Sequence, residues 1–120
     1  MTTRQVFVVS AARTAISTFG GSLQDIPLST LATLAVRATL ERSGVALDQA
    51  GHVVVGNGVP TEPRDPYLSR IATLNAGIPK ETPAFNVNRL YGSVLQAVIS
   101  AAQAILLGDA TSPSTRAPRA

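Results

Sequence analysis

Ala84-Phe85-Asn86-Val87-Asn88-Arg89-Leu90-Tyr91-Gly92-Ser93-Val94-Leu95 decides how this chain is read. Residues 84–90 form an extended, β-prone run. From Ser93 onward Val94, Leu95, Val98, Ile99, Ala102, Ile105 and Leu106 recur at helical spacing and make an unusually apolar face, expected to be buried. The junction is a strand-to-helix elbow. A residue there stands at the C-terminal end of a strand, beside the unpaired N–H groups of a helix's first turn, where the dipole lowers the pKa of an acidic side chain. Nucleophiles are often placed at such points, and this one carries Tyr91. Asn88 and Ser93 flank it and are expected to hold the turn by side-chain to backbone hydrogen bonds.

Working back from the elbow, residues 52–55 read as a second strand, broken by Gly56, Asn57 and Gly58. The loop from Pro60 to Pro66 offers Asp65 as an N-cap with Pro66 at the first helical position. A helix over 67–75 follows, with Leu68, Ile71 and Leu74 inward and Gly77 and Pro79 as its stop. Further back, Ser29 or Thr30 caps a helix with Leu31, Leu34, Ala35 and Ala38 inward, and Gly44 ends it. Residues 11–28 form a loop, and residues 5–10, rich in Val and Phe, read as a buried strand. Beyond the elbow Gly108 closes the last helix, and 111–120 is a Pro/Ser/Thr/Arg tail expected to lack fixed structure. The order is βαβαβα over one α/β domain, residues 1–110, and such alternation argues for a parallel sheet.

Composition narrows the function. At 120 residues with 45% hydrophobic content the chain is one domain with a core, and its 4% aromatic content points to a core of Val, Leu, Ile and Ala. The net charge of +3 comes from ten Lys and Arg scattered singly, so no nucleic-acid site is read; Arg116 and Arg119 belong to a solvated tail. No charged leader precedes an apolar run, and no stretch is read as long enough to span a bilayer, which takes about 20 residues; a cytoplasmic protein without a membrane contact is expected. There is no cysteine, hence no disulfide and no thiolate metal site. His52, the single histidine, reads as a strand-end residue, and no metal is expected. Gly20-Gly21 reads as a turn, Arg13 as a member of an ion pair at the sheet rim, and Asp65 with Arg64 as a cap and interface charge.

Several ordered motifs resemble the thiolases, the acetyl-CoA C-acyltransferase family. Val8-Val9-Ser10-Ala11-Ala12-Arg13-Thr14-Ala15-Ile16 with Phe19-Gly20-Gly21 resembles the family's first strand and loop. Gly56-Asn57 after Val53-Val54-Val55 resembles the end of its second strand, and Val87-Asn88-Arg89-Leu90 before Gly92-Ser93 resembles its nucleophile turn. Thr61-Glu62-Pro63-Arg64-Asp65 with Tyr67-Leu68 resembles bacterial β-ketothiolases. After Leu107-Gly108-Asp109-Ala110 the family continues into another strand, whereas Arg116-Ala117-Pro118 resembles a later piece of it.

The resemblance implies an incomplete thiolase-like half-domain: three strands in the order 3-2-1 of a five-stranded 3-2-1-4-5 sheet, with one edge of the first strand open. It implies acyl transfer between acyl-CoA thioesters, as in fatty acid metabolism, with a cysteine nucleophile at position 91, where Tyr91 stands. It implies coenzyme A thioesters as substrates, no resident cofactor, and dimer contact through the third strand. Tyr91 is expected not to function, its ring filling the thioester's place, and Val94 replaces a family glycine. The favoured reading is thus a truncated, inactive thiolase homologue. Its alternatives are a non-catalytic module pairing with an intact thiolase subunit and a rewired CoA-ester enzyme.

Overall fold

The computed structural model describes residues 4–110. The tail at 111–120 lies outside them.

Helix α1 (Leu28–Ser43) begins two to three residues earlier than the sequence suggested. Pro27, not Ser29 or Thr30, occupies the cap position, and its carbonyl accepts the Thr30 and Leu31 N–H groups at 3.0 and 3.3 Å. Proline's fixed φ makes this entry inexpensive, which leaves the two hydroxyl residues inside the first turn. Gly44, at φ 69°, closes the helix in the left-handed conformation that glycine adopts without strain.

Strands β1 (Val53–Gly56) and β2 (Ala84–Val87) pair in parallel, Val53 opposite Ala84 and Gly56 opposite Val87. Asn57 N–H to Val87 O, 3.0 Å, extends the ladder by one bond. Between the strands runs α2 (Leu68–Asn75), and after β2 comes α3 (Ser93–Leu107). Asn86 reaches back to α2, so Val55, its ladder partner, shares that face. By alternation Val54 and Phe85 face α3, and the two helices cover opposite faces of the sheet.

The core gathers on α2, where Leu68, Ser69, Ala72 and Thr73 are buried, joined by Ala76 and Ile78. α1 packs against α2, and Arg37 donates to the Asn75 carbonyl at 2.8 Å. No valine is fully buried among the described residues, and the inward face of each helix differs from the periodic one. In α1 the buried residue is Thr33 while Leu34 is half open; in α2 Leu74 turns outward. Thr33 and Thr73 tolerate burial because each hydroxyl bonds a carbonyl four residues back at 2.7 Å.

Two expectations fail here for one reason, the lack of a covering layer. Residues 5–10 do not form a strand: no backbone ladder joins them to β1, and Phe7, Val8 and Val9 are 73%, 83% and 70% exposed. A parallel strand is stable when both faces are covered, and consecutive residues of this segment, Phe7, Val8 and Val9, all stand open. It is tied at its ends instead, Arg4 to the Ile105 carbonyl and Arg42 to the Ala11 carbonyl, both 3.1 Å. The sheet is therefore two-stranded, an α/β partial domain in which the expected 3-2-1 order is reduced to 3-2.

The second failure is α3. Only Ser93 and Ala97 are buried, while Val94, Leu95, Val98, Ile99, Ile105 and Leu106 stand open. The turn before α3 and the helix itself, Leu90–Leu107, make an uncharged 18-residue stretch of mean hydropathy 1.6 of which 11% is buried. By length and composition it could cross a membrane, which corrects the expectation that no run approaches that size, although a core helix of a soluble fold meets the same test.

Candidate functional site

At the C-terminal ends of both strands the chain turns sharply. A single 3-10 turn, Leu90–Gly92, links β2 to α3, so the strand ends at Val87 and not at Leu90. Leu90 has φ 48°, among the described residues the one non-glycine position with positive φ. A bulky residue adopts this region only when its surroundings over-determine it, at a cost on the order of 1–3 kcal/mol.

The surroundings are specific. Asn88 Oδ1 accepts the Leu90 N–H at 2.9 Å, and Asn88 Nδ2 donates to the Gly58 carbonyl at 3.0 Å. Ser93 Oγ accepts the Arg89 N–H at 2.9 Å and donates to the Leu90 carbonyl at 2.7 Å. Asn88 and Ser93 thus bracket the turn as the sequence suggested, one tying it to the β1 end and the other to the first residue of α3.

Glycines at the end of β1 and just beyond it admit the bracket. A Cβ at Gly56 would lie 2.5 Å from the Ser93 carbonyl group, and one at Gly58 would lie 2.8 Å from the Leu90 carbonyl oxygen. Read only as strand breakers in the sequence, they are the seats into which elbow and helix settle. The signal was present as Gly-Asn-Gly at a strand's end, but its partner lies some thirty residues on.

Tyr91 projects from the apex, 107% exposed. The described residues form no pocket around its ring. Beside it Gly92 is the N-cap of α3, with no side-chain cap, and Arg89 Nη1 bonds Gln96 Oε1 at 3.0 Å. Val94 opens onto the outer face of α3, 71% exposed. The geometry is that of a presenting turn: a side chain at 91 is held clear of the backbone, next to the positive end of a 15-residue helix.

The other candidates stay away from the elbow. His52 precedes β1, at the opposite end of the sheet and roughly 13 Å from Gly56 along the strand. Its ring meets Phe85 edge-on at 5.2 Å, and Nδ1 is buried without a hydrogen-bond partner. Arg13 bonds the carbonyl of Thr14 at 3.1 Å in place of the expected ion pair, and Gly20 sits in a turn at φ 68°. A cavity of about 360 Å³ lies between the end of α1 and residues 45–47, lined by Leu40, Glu41 and Leu47 among others, and none of its residues belongs to the elbow.

Asp65 corrects the capping assignment. Its carboxylate Oδ2 bonds backward, to the Thr61 N–H at 2.6 Å, the Glu62 N–H at 3.0 Å and the Thr61 hydroxyl at 3.0 Å. Residues 65–67 are a 3-10 turn, and α2 is served by Asn86, whose Oδ1 accepts the Ser69 N–H at 2.8 Å while Nδ2 donates to the Asp65 and Pro66 carbonyls. The Thr61 N–H, then that of Glu62, hold the Asp65 carboxyl below the usual carboxylate range against the opposing effect of its burial.

The family described as Thiolase, N-terminal domain, matches residues 6–112. Beta-ketothiolase BktB of Cupriavidus necator is 58% identical over 107 residues, 89% of this chain and 27% of that protein. The mitochondrial 3-ketoacyl-CoA thiolase of Bos taurus is 42% identical over 106 residues, 88% of this chain and 27% of that protein. The crystal structure of human mitochondrial 3-ketoacyl-CoA thiolase in complex with CoA superposes with a TM-score of 0.82 at 38% identity, over 84% of this chain and 26% of that one. The chain thus spans about a quarter of the length of the curated relatives it matches.

Proposed function

The chain belongs to the thiolase family, and from that premise we propose that residues 88–93 are the nucleophile elbow of a thiolase fold in which Tyr91 replaces the thiol. These 120 residues then carry the scaffold for acyl transfer between coenzyme A thioesters without the group that begins it. Acyl-CoA as the ligand class rests on the relatives' names, acetyl-CoA acetyltransferase and 3-ketoacyl-CoA thiolase. A cytoplasmic location is part of the same reading.

The observation that carries it is the projection of Tyr91 from a bracketed, positive-φ turn at the start of α3. The inactivity follows from chemistry. A phenol titrates near pH 10 and needs a base to attack a thioester, whereas a thiol near 8.5 beside a helix N-terminus needs little help. No cysteine and one histidine occur in the sequence, and that histidine stands at the far end of the sheet.

Intact-mass spectrometry after incubation with acetyl-CoA tests this. The unaltered chain gains no acetyl group. Tyr91→Cys forms a hydroxylamine-labile thioester as its thiolate attacks the acetyl carbonyl and coenzyme A leaves as the thiolate. An alkali-labile ester on Tyr91 itself would overturn the inactivity. A thiol introduced at position 91 that is no more reactive than one placed at exposed Leu34 would overturn the elbow.

A second reading is favoured by the edge of β2. It pairs with β1 on one side and with no strand among the described residues on the other, and an open parallel edge invites pairing. A non-catalytic module that docks this edge on an intact thiolase subunit predicts co-purification of the two, lost on changing residues of β2.

A further inference from the structure

The cavity of about 360 Å³ beside the end of α1 falls in the size range of small-molecule sites. Leu40, Val45, Leu47 and buried Ala76 give it apolar walls. The two charged residues that line it, Arg37 and Glu41, stand one turn apart on the same side of α1. Opposite charges at this spacing are within reach of an ion pair, yet no such bond joins these two. Arg37 Nη2 donates instead to the Asn75 carbonyl at the end of α2, 2.8 Å away. That bond holds the guanidinium in place and uses one of its five N–H groups, so a fork remains for a carboxylate. Glu41 lies in the last turn of α1, at the negative end of the helix dipole, where a carboxylate is disfavoured unless a cation attends it. Its neighbour in sequence, Arg42, is committed to the Ala11 carbonyl at 3.1 Å.

We propose that this cavity binds a free α-amino acid with a branched aliphatic side chain. Its carboxylate lies on Arg37, its ammonium on Glu41, and its side chain against Leu40, Val45 and Leu47. Charge complementarity selects a zwitterion over simpler occupants. A fatty acid would set its carboxylate beside Glu41 with nothing to offset the repulsion, and an aliphatic amine would do the same beside Arg37. A zwitterion places one charge on each, and the apolar walls then favour an aliphatic body over a polar one. Every lining residue comes from α1, α2 or the residues next to them, on the side of the sheet away from α3. The site therefore needs neither the elbow nor any acyl chemistry.

Titration of the chain with L-leucine, followed by two-dimensional ¹H–¹⁵N NMR, reads it directly. The amides of Val45, Ala46, Leu47 and Ala76 shift together with a Kd on the order of 1 mM, as suits an open site and so small a ligand. Two partial ligands and a truncated one dissect the recognition. 4-Methylpentanoate lacks the ammonium, 3-methylbutylamine lacks the carboxylate and glycine lacks the side chain, and each binds about tenfold more weakly or worse. Glu41→Gln removes the ammonium's partner, and Ala46→Trp fills the cavity. Both positions are exposed, so each variant keeps the parent's circular dichroism while its affinity for L-leucine falls about tenfold or more. Amides that do not move, a partial ligand or glycine that binds as tightly as L-leucine, or an affinity indifferent to either substitution would overturn the proposal.

Discussion

α2 and α3 cover the two faces of the same two-stranded sheet, yet their sequences and their burial run in opposite directions. α2 is short, interrupted by Ser69 and Thr73, and half of its eight residues are buried. α3 is fifteen uncharged residues, eleven of them apolar, and two of the fifteen are buried. α2 is sandwiched between α1 and the sheet, whereas α3 has the sheet on one side and no described helix or strand on the other. Hydrophobicity states what a helix can bury; the number of layers around it decides what it does bury.

The sharpest way to break this contrast is a matched pair of charges. Ala72→Asp puts a carboxylate at a position with no exposed surface, without a partner, and is expected to cost about 3–5 kcal/mol, enough to unfold a domain this small. Val98→Asp on α3, at dilute protein, is expected to move the stability by no more than about 0.5 kcal/mol. Urea melts followed by circular dichroism compare them, and equal losses would mean that α3 is covered after all.

Gly56→Ala tests a place where α3 is tightly held against β1. The new methyl meets the Ser93 backbone at 2.5 Å, where neither partner is a flexible side-chain end. A loss of about 1–3 kcal/mol is expected, with the reactivity of a thiol at position 91 falling in step. An unchanged midpoint would show that the elbow floats on the sheet.

The smallest effect concerns the loop that feeds α2. The folded pKa of Asp65 is depressed, so its contribution to stability is present above the unfolded value near 3.9 and is lost as pH falls through the lower folded value. Asp65→Asn is therefore less stable than the parent at about pH 6, and the gap closes as acid protonates the parent. Thermal melts at several pH values measure it; a gap that persists in acid would assign the loss to packing.

The elbow was legible because its chemistry is local. Apart from the Asn88 bond to the Gly58 carbonyl, Asn88 and Ser93 act on backbone groups two to four residues away, the range over which a sequence shows its turns. The runs that become β1 and β2, and the ends of all three helices at glycine or just before it, were legible for the same reason. The cap of α2 was not, because Asn86 comes from another strand seventeen residues on, and Asp65-Pro66 offered a complete local alternative. Nor was the fate of residues 5–10 or of the α3 face, whose patterns are those of core elements. Composition records the partners an element is suited to, and says nothing of whether they are present.

The reach of Asn86 into the start of α2 bears on how the domain assembles. Eight residues are too few for a helix to persist alone in water, where about 12–15 are marginal. The Ser69 amide finds its acceptor only once β2 is docked, and the same side chain fixes the carbonyls of Asp65 and Pro66. Helix, loop and strand are thus made to order together, and hydrogen exchange at the single amide of Ser69 should report the cooperative opening of all three.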